Sequence, residues 1–171
     1  MRPPTVPEID PAPQVYSTLE AMGIAYQVHT HPPVFTSEEA DLHWSGIAGV
    51  KVKNLFLRNK KGDRHYLVIL AISKRADLQQ LVKVIGADRL SFGSPERLKA
   101  ALGVTPGSVS PFGLIHDHAH AVRVIVDEDL RSADRLIFHP NVNTASVVIA
   151  GTDFARFLGS TGNEVRWVRV G

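Results

Sequence analysis

Residues Gly49 to Leu57 read GVKVKNLFL. Val50, Val52, Leu55 and Leu57 predict a buried strand, interrupted by Lys51, Lys53 and Asn54 at positions where a purely structural strand would carry aliphatics. Lys53 and Asn54 are neighbours, so on a regular strand their side chains point to opposite faces; only a bulge at the strand start would turn both toward one pocket. Two readings fit these residue types. In one, Lys53 is an ammonium donor to a phosphate or ester oxygen, with Asn54 a neutral donor and acceptor beside it. In the other, the lysines keep an edge strand soluble.

Immediately downstream, a polar turn at Asn59 to Asp63 (NKKGD) and a second apolar run from His65 to Ile72 complete a hairpin signal. Asp77 is placed to cap a helix that stops at Gly86, and Ser94, Pro95 and Glu96 start another that stops at Gly103. Upstream, Val15, Leu19 and Met22 recur at helical spacing before Gly23, Ala25 to His29 alternates as a strand, and HPPVF breaks it. Thr36 or Ser37 then caps a helix ending near Trp44 to Gly46, with Glu39 placed as in a capping box. Val104 to Gly113 reads as a structured loop. Strands are expected at Val122 to Val126, Arg135 to Phe138, Ala145 to Ile149 and Val165 to Val170, with a helix around Phe154 to Leu158 capped by Thr152 or Asp153. About seven strands and four or five short helices without strict βαβ alternation predict one mixed α+β or α/β domain over residues 14–171, preceded by a loose proline-rich arm at residues 1–13.

A chain of 171 residues is long enough to bury a core without staples, and the absence of cysteine excludes disulfides, thiolate metal sites and cysteine nucleophiles. A reducing compartment, the cytoplasm, fits that composition. Neither a signal-peptide apolar region nor a membrane-length apolar run occurs. The net charge of +2 hides an uneven distribution: residues 49–99 carry twelve Lys and Arg against four acids, a block of +8 in a nearly neutral protein. Such a block suits a phosphate backbone, and equally a solvated helix face with a basic turn.

Three further segments carry chemistry. His116, His118 and His120 (HDHAH) have the period-2 spacing of a metal site, but they follow Pro111 and Gly113 and read more readily as a polar loop facing water. His139 in FHPNVN follows an apolar run and precedes a proline, which places it at a strand exit as a possible general base or amine-binding group, or as a turn histidine bonded to nearby backbone. Gly107 to Pro111 (GSVSP) offers backbone N–H groups to a small pocket, or is an ordinary connection. The glycine patterns of nucleotide-binding loops, GxSxG and HExxH are absent.

Taken together, HPPVFTSEEA (31–40), KNLFL (53–57), RLSFGSPERL (89–98), LGVTPGSVSPFGL (102–114) and FHPNVNTASV (138–147) resemble the YbaK/ProX family of aminoacyl-tRNA editing domains, over about Val15 to Val170. Within it the chain looks most like the free-standing ProX branch that deacylates mischarged Ala-tRNA(Pro). The family's lysine–asparagine pair matches Lys53 and Asn54, its histidine matches His139, and its GxxxP loop matches Gly107 and Pro111; Val52 stands where relatives often carry a small polar residue. The resemblance implies a compact mixed sheet surrounded by helices and hydrolysis of the ester between the terminal adenosine and a wrong amino acid. It implies Lys53, Asn54 and His139 as the catalytic set, with Gly107, Ser108, Val109, Ser110, Pro111, His31, Phe35 and Thr36 around the substrate. It gives the basic block a partner, the acceptor end of mischarged tRNA(Pro), contacted by Arg58, Lys60, Lys61, Lys74, Arg75 and Arg89, with prolyl-tRNA synthetase as a further partner and neither DNA nor membrane expected. An aminoacyl ester is already activated, so no cofactor or metal is called for. The competing readings are the same fold acting on Cys-tRNA(Pro) or another small aminoacyl-tRNA, and a tRNA- or synthetase-binding module without catalysis.

Overall fold

The hairpin read from the central segment forms. In the computed structural model, which describes residues 10–34, 36–44 and 46–171, β2 (Val50–Arg58) pairs antiparallel with β3 (His65–Ala71) in an unbroken one-to-one register from Val52↔Ala71 to Arg58↔His65. Around it lie β1 (Tyr26–Thr30), β4 (Ser91–Phe92), β5 (Arg123–Asp127), β6 (Arg135–Phe138), β7 (Ala145–Ala150) and β8 (Val165–Val168). They form one eight-stranded sheet in the order β1-β7-β6-β2-β3-β5-β8, with β4 attached to β2 outside that path. Pairings β2–β6, β3–β5 and β5–β8 are parallel and the rest antiparallel, so the sheet is mixed as expected. The eighth strand beyond the seven expected is β4, whose two residues are too few for alternation to show in a sequence.

Helix ends follow their local chemistry. The Asp77 carboxylate accepts from the N–H groups of Gln79 and Gln80 at the start of α3 (Leu78–Ile85), which Gly86 ends at φ +71°. Ser94 caps α4 (Pro95–Leu102) through Arg97 N–H, and Gly103 ends it in the same left-handed conformation. The first helix, α1 (Ala12–Ala21), starts earlier than its apolar periodicity suggests, because Asp10 accepts from Ala12 N–H; Ala12 and Pro13, expected in the arm, are therefore helical, and residues 1–9 lie outside the described residues. In α2 (Ser37–Trp44), Thr36 Oγ1 accepts from Glu39 N–H at 3.1 Å, as one half of the expected capping box. The last helix, α5 (Gly151–Ser160), corrects the expected Thr152 or Asp153 cap: no side chain caps it, and the N–H of Gly151 donates to the Asp134 carbonyl instead. A Cβ at Gly151 would collide with the Ala133 carbonyl oxygen, so the strand-to-helix junction depends on glycine.

One sheet face packs Val52, Phe56, Leu67, Ile69, Val124 and Val147 against α1, α4 and α5, with Phe112, Phe138, Phe154 and Phe157 in ring contact at the centre. The opposite face packs Leu57, Tyr66, Val68 and Leu70 against Leu81 of α3. A third cluster, Val34, Trp44, Ile137 and Val148, holds α2 to the sheet.

One consequence of this topology positions the site. The edge of β2 opposite β3 is covered by β6 only at Val50 and Lys51, and by β4 only at Leu57 and Arg58. Lys51 O accepts from Ile72 N–H on the β3 side, whereas Phe56 O accepts from Gly93 N–H on the other. By the alternation of an antiparallel ladder, the backbone N–H and C=O of Asn54 face the uncovered edge, where no strand pairs among the described residues.

Candidate functional site

A cavity of about 110 Å³ opens at this gap in the sheet, lined by residues that include Lys53, Asn54, His139, Gly107, Trp44 and Thr36. The regular register rules out the bulge that would turn Lys53 and Asn54 to one face. Val52, Asn54 and Phe56 share the face of the main core, while Lys53 shares the other with Leu55 and Leu57. Both reach the cavity because it lies at an open strand edge, where the two faces meet. Asn54 Oδ1 is buried with no hydrogen-bond partner, and no carboxylate among the described residues is paired with Lys53. Lys53 therefore brings an uncompensated positive charge, and Asn54 brings polar atoms from its side chain and its unpaired backbone.

His139 leaves β6 at the opposite wall. Its Nδ1 lies 3.1 Å from the Ala145 carbonyl, which can only accept, so Nδ1 carries the proton and the ring's Nε2 keeps a lone pair. Burial, and secondarily the neighbouring His31, hold its pKa below the ordinary 6.5, although the Ala145 hydrogen bond opposes them. At neutral pH the ring is an uncharged acceptor. Trp44 packs 5.3 Å from it between ring centres.

The other expected residues divide. Gly107 and Val109 line the cavity, joined by Pro106; Ser108, the last residue of the 3₁₀ turn Pro106–Ser108, is buried outside the lining, as is Ser110, which caps the next turn through Phe112 N–H. Pro111 belongs to that second turn and lies outside the lining. Thr36 is at the rim, and Phe35 lies outside the described residues. His31 is near but not in the lining: both ring nitrogens are engaged, Nδ1 with the Pro32 carbonyl and Nε2 with Ser146 Oγ, each at 2.8 Å. Val34, Trp44, Ile72 and Pro106 are lining residues that the sequence reading did not single out, and Val52, noted there as a departure from relatives, lines the cavity too. Only Trp44 offered a signal, as a large apolar residue closing an otherwise polar helix.

The aminoacyl-tRNA editing domain model matches residues 31–157, most of the chain and all of the cavity wall. The chain belongs to the aminoacyl-tRNA editing domain family. It is 36% identical over 163 residues to the prolyl-tRNA editing protein ProX of Acetoanaerobium sticklandii, covering 95% of this chain and 99% of that one. It is 27% identical to the multifunctional Ser/Thr-tRNA deacylase ProXp-y of Escherichia coli K12, over 84% of this chain and 85% of the relative. Among solved structures, a candidate trans-editing enzyme for prolyl tRNA synthetase superposes with a TM-score of 0.71 at 24% identity, over 96% of this chain and 100% of that one, which is agreement of fold. The family and the mixed fold expected from the sequence are thus both borne out.

Elsewhere on the editing domain, Arg58, Lys60 and Lys61 cluster at the hairpin tip, Arg89 is exposed after α3, and Arg75 is exposed at the hairpin's other end. Lys74 is committed within the protein: its Nζ lies 2.7 Å from fully buried Asp127 and 2.5 Å from Asp129. At the tip the sequence reading missed Arg97 of α4. It donates to the Gly62 carbonyl at 2.8 Å, and the guanidiniums of Arg97 and Arg58 lie 2.9 and 3.1 Å from where a Cβ of Gly62 would stand. His116 closes the second 3₁₀ turn, while His118 and His120 are exposed; among the described residues no three His, Asp or Glu side chains are placed to share a metal ion. No helix among the described residues is long and apolar enough to cross a membrane.

Proposed function

We propose that this editing domain hydrolyses the ester of mischarged tRNA(Pro), with alanine as its preferred aminoacyl group. The carrying observation is the cavity at the β2 gap. At about 110 Å³ it is well below the roughly 300–1,000 Å³ of sites that engulf a drug-sized ligand. It suits a small aminoacyl group entering alone while the terminal adenosine stays at the mouth. Size exclusion of a larger side chain is the editing logic of a second sieve.

In this reading the Lys53 ammonium stabilises the negative charge that develops on the carbonyl oxygen, assisted by the Asn54 backbone N–H at the open edge. His139 Nε2 accepts a hydrogen bond from the attacking water. Water oxygen bonds to the carbonyl carbon as its proton passes to His139 Nε2, the carbon–oxygen bond to the ribose breaks, and the ribose oxygen leaves as a hydroxyl by taking that proton. Incubating Ala-, Ser-, Cys- and Pro-tRNA(Pro) with the protein tests the reading; selective loss of Ala-tRNA(Pro) supports it, and stability of all four refutes it in favour of a binding module.

The lowered pKa of His139 sets a pH dependence. Activity that uses the neutral ring is complete above about 6.5, the ordinary value, and falls as pH drops through the lowered pKa. The kcat/KM profile is therefore expected to have an acid limb below pH 6.5 that disappears in His139→Asn. A limb above that pH would contradict the assignment.

The acceptor end is read as lying along the basic tip, with prolyl-tRNA synthetase as the protein partner in the same process. Arg58 and Arg97 are held by backbone carbonyls rather than carboxylates, so their charges remain available to phosphates. Removing both, as Arg58→Gln with Arg97→Gln, is expected to reduce the slope of log K against log salt for tRNA by about 1 to 2. An unchanged slope would place the RNA elsewhere.

A further inference from the structure

Ser146 of β7 lies opposite His29 of β1 and is completely buried. Its hydroxyl meets two groups from the ends of one segment. The Trp44 indole Nε1–H, which can only donate, hydrogen-bonds to Ser146 Oγ. The serine's own proton is then free for His31 Nε2, 2.8 Å away. That requires the imidazole proton to sit on Nδ1, and Nδ1 is indeed 2.8 Å from the Pro32 carbonyl, which can only accept. The chain of bonds runs in one direction, from the indole through the hydroxyl and the imidazole to the carbonyl, and leaves none of these groups unsatisfied. It fixes the His31 ring in one orientation. That ring stacks on His43 of α2 at 5.2 Å and meets His139 edge-on at 6.1 Å.

We propose that Ser146 is a positioning residue that determines specificity: its single hydroxyl holds both ends of the segment from His31 to Trp44 and so sets the width of the aminoacyl cavity. The inference rests on the editing reading above. Val34 and Trp44 also pack against Ile137 and Val148, but apolar packing is non-directional and keeps the indole in place without fixing its rotation. The hydroxyl supplies the direction. Trp44 lines the cavity and packs on His139, so a rotation of the indole widens the space beside the water-binding nitrogen.

The test uses Ser146→Ala, Trp44→Phe, the double variant and Ser146→Cys, which restores a weak donor and acceptor of similar size. With two tryptophans in the chain, the ¹H–¹⁵N spectrum has two indole signals, and Trp44→Phe identifies one. Ser146→Ala is expected to shift the Trp44 indole signal and to reduce the kcat/KM ratio of Ala-tRNA(Pro) over Pro-tRNA(Pro) by about tenfold, the loss of one directional hydrogen bond. Ser146→Cys recovers part of the ratio, and the double variant is no worse than the worse single variant. An unmoved indole signal overturns the hydrogen-bonded chain, whether or not the protein is a deacylase. A moved signal with an unchanged ratio, or additive effects in the double variant, overturns the specificity role. Absence of hydrolysis in the wild type refutes the editing reading on which that role rests, while the indole signal still judges the bonding.

Discussion

Lys53→Ala is expected to lower kcat for Ala-tRNA(Pro) hydrolysis by about 10²–10³-fold, the usual cost of removing one donor aimed at a developing oxyanion. The size follows from the site. Lys53 lines a small cavity at an open strand edge with no paired carboxylate among the described residues, so its charge is not already spent on the protein. The same circumstance makes the fold tolerant of its loss: no buried acid is left uncompensated, and stability is expected to stay within about 0.5 kcal/mol of wild type. Single-turnover hydrolysis at saturating protein, together with a urea melt, separates the two quantities. Lys53→Arg keeps the charge, but its planar fork is wider than an ammonium, so only partial recovery is expected. A kcat reduced less than threefold in Lys53→Ala would remove the lysine from the chemistry and leave the asparagine and histidine to account for it.

The second large effect concerns Trp44. Its ring is 1% exposed and is the fully buried anchor of α2 among the residues described there, packed with Val34, Ile137 and Val148. Trp44→Ala is expected to cost about 3–5 kcal/mol, the range for deleting a buried large aromatic side chain. Against a total stability of roughly 5–15 kcal/mol for a natural domain, that is a large share, and the urea midpoint should fall accordingly. The truncation also removes one wall of the cavity, so the surviving folded protein should lose its discrimination between alanine and proline on tRNA(Pro). Trp44→Phe keeps most of the packing and loses the N–H, so it should show the milder stability change. A Trp44→Ala protein as stable as wild type would mean that α2 is held by contacts other than its tryptophan.

Much of the architecture was legible because its signals are local. Asp77, Gly86, Ser94 and Gly103 mark helix ends through hydrogen bonds and backbone conformations confined to a few residues. The hairpin from Val50 to Ala71 follows from two apolar runs around a polar glycine turn. The start of α5 was misread because its first N–H is satisfied from Asp134, a long-range partner invisible to a cap rule. Lys53, Asn54 and His139 stood out as polar residues in apolar runs, the kind of local inconsistency that function leaves behind. Their meaning came from the resemblance of five ordered motifs, not from residue types, which fit a soluble edge strand equally well.

What the sequence by itself determined is the alternation of strands and short helices, the basic block, the absence of thiol chemistry and the identity of the polar residues at the site. The tertiary structure decided how they combine. A one-to-one register sends Lys53 and Asn54 to opposite faces, and they share a cavity only because β6 and β4 cover the two ends of the β2 edge and leave its middle open. Both His31 ring nitrogens are engaged, Nε2 by Ser146 from 115 residues away, a pairing that no local pattern signals. Strand order and edge coverage depend on which distant segments bury their apolar faces together, and that choice is made by the whole core at once, so no window of the chain encodes it.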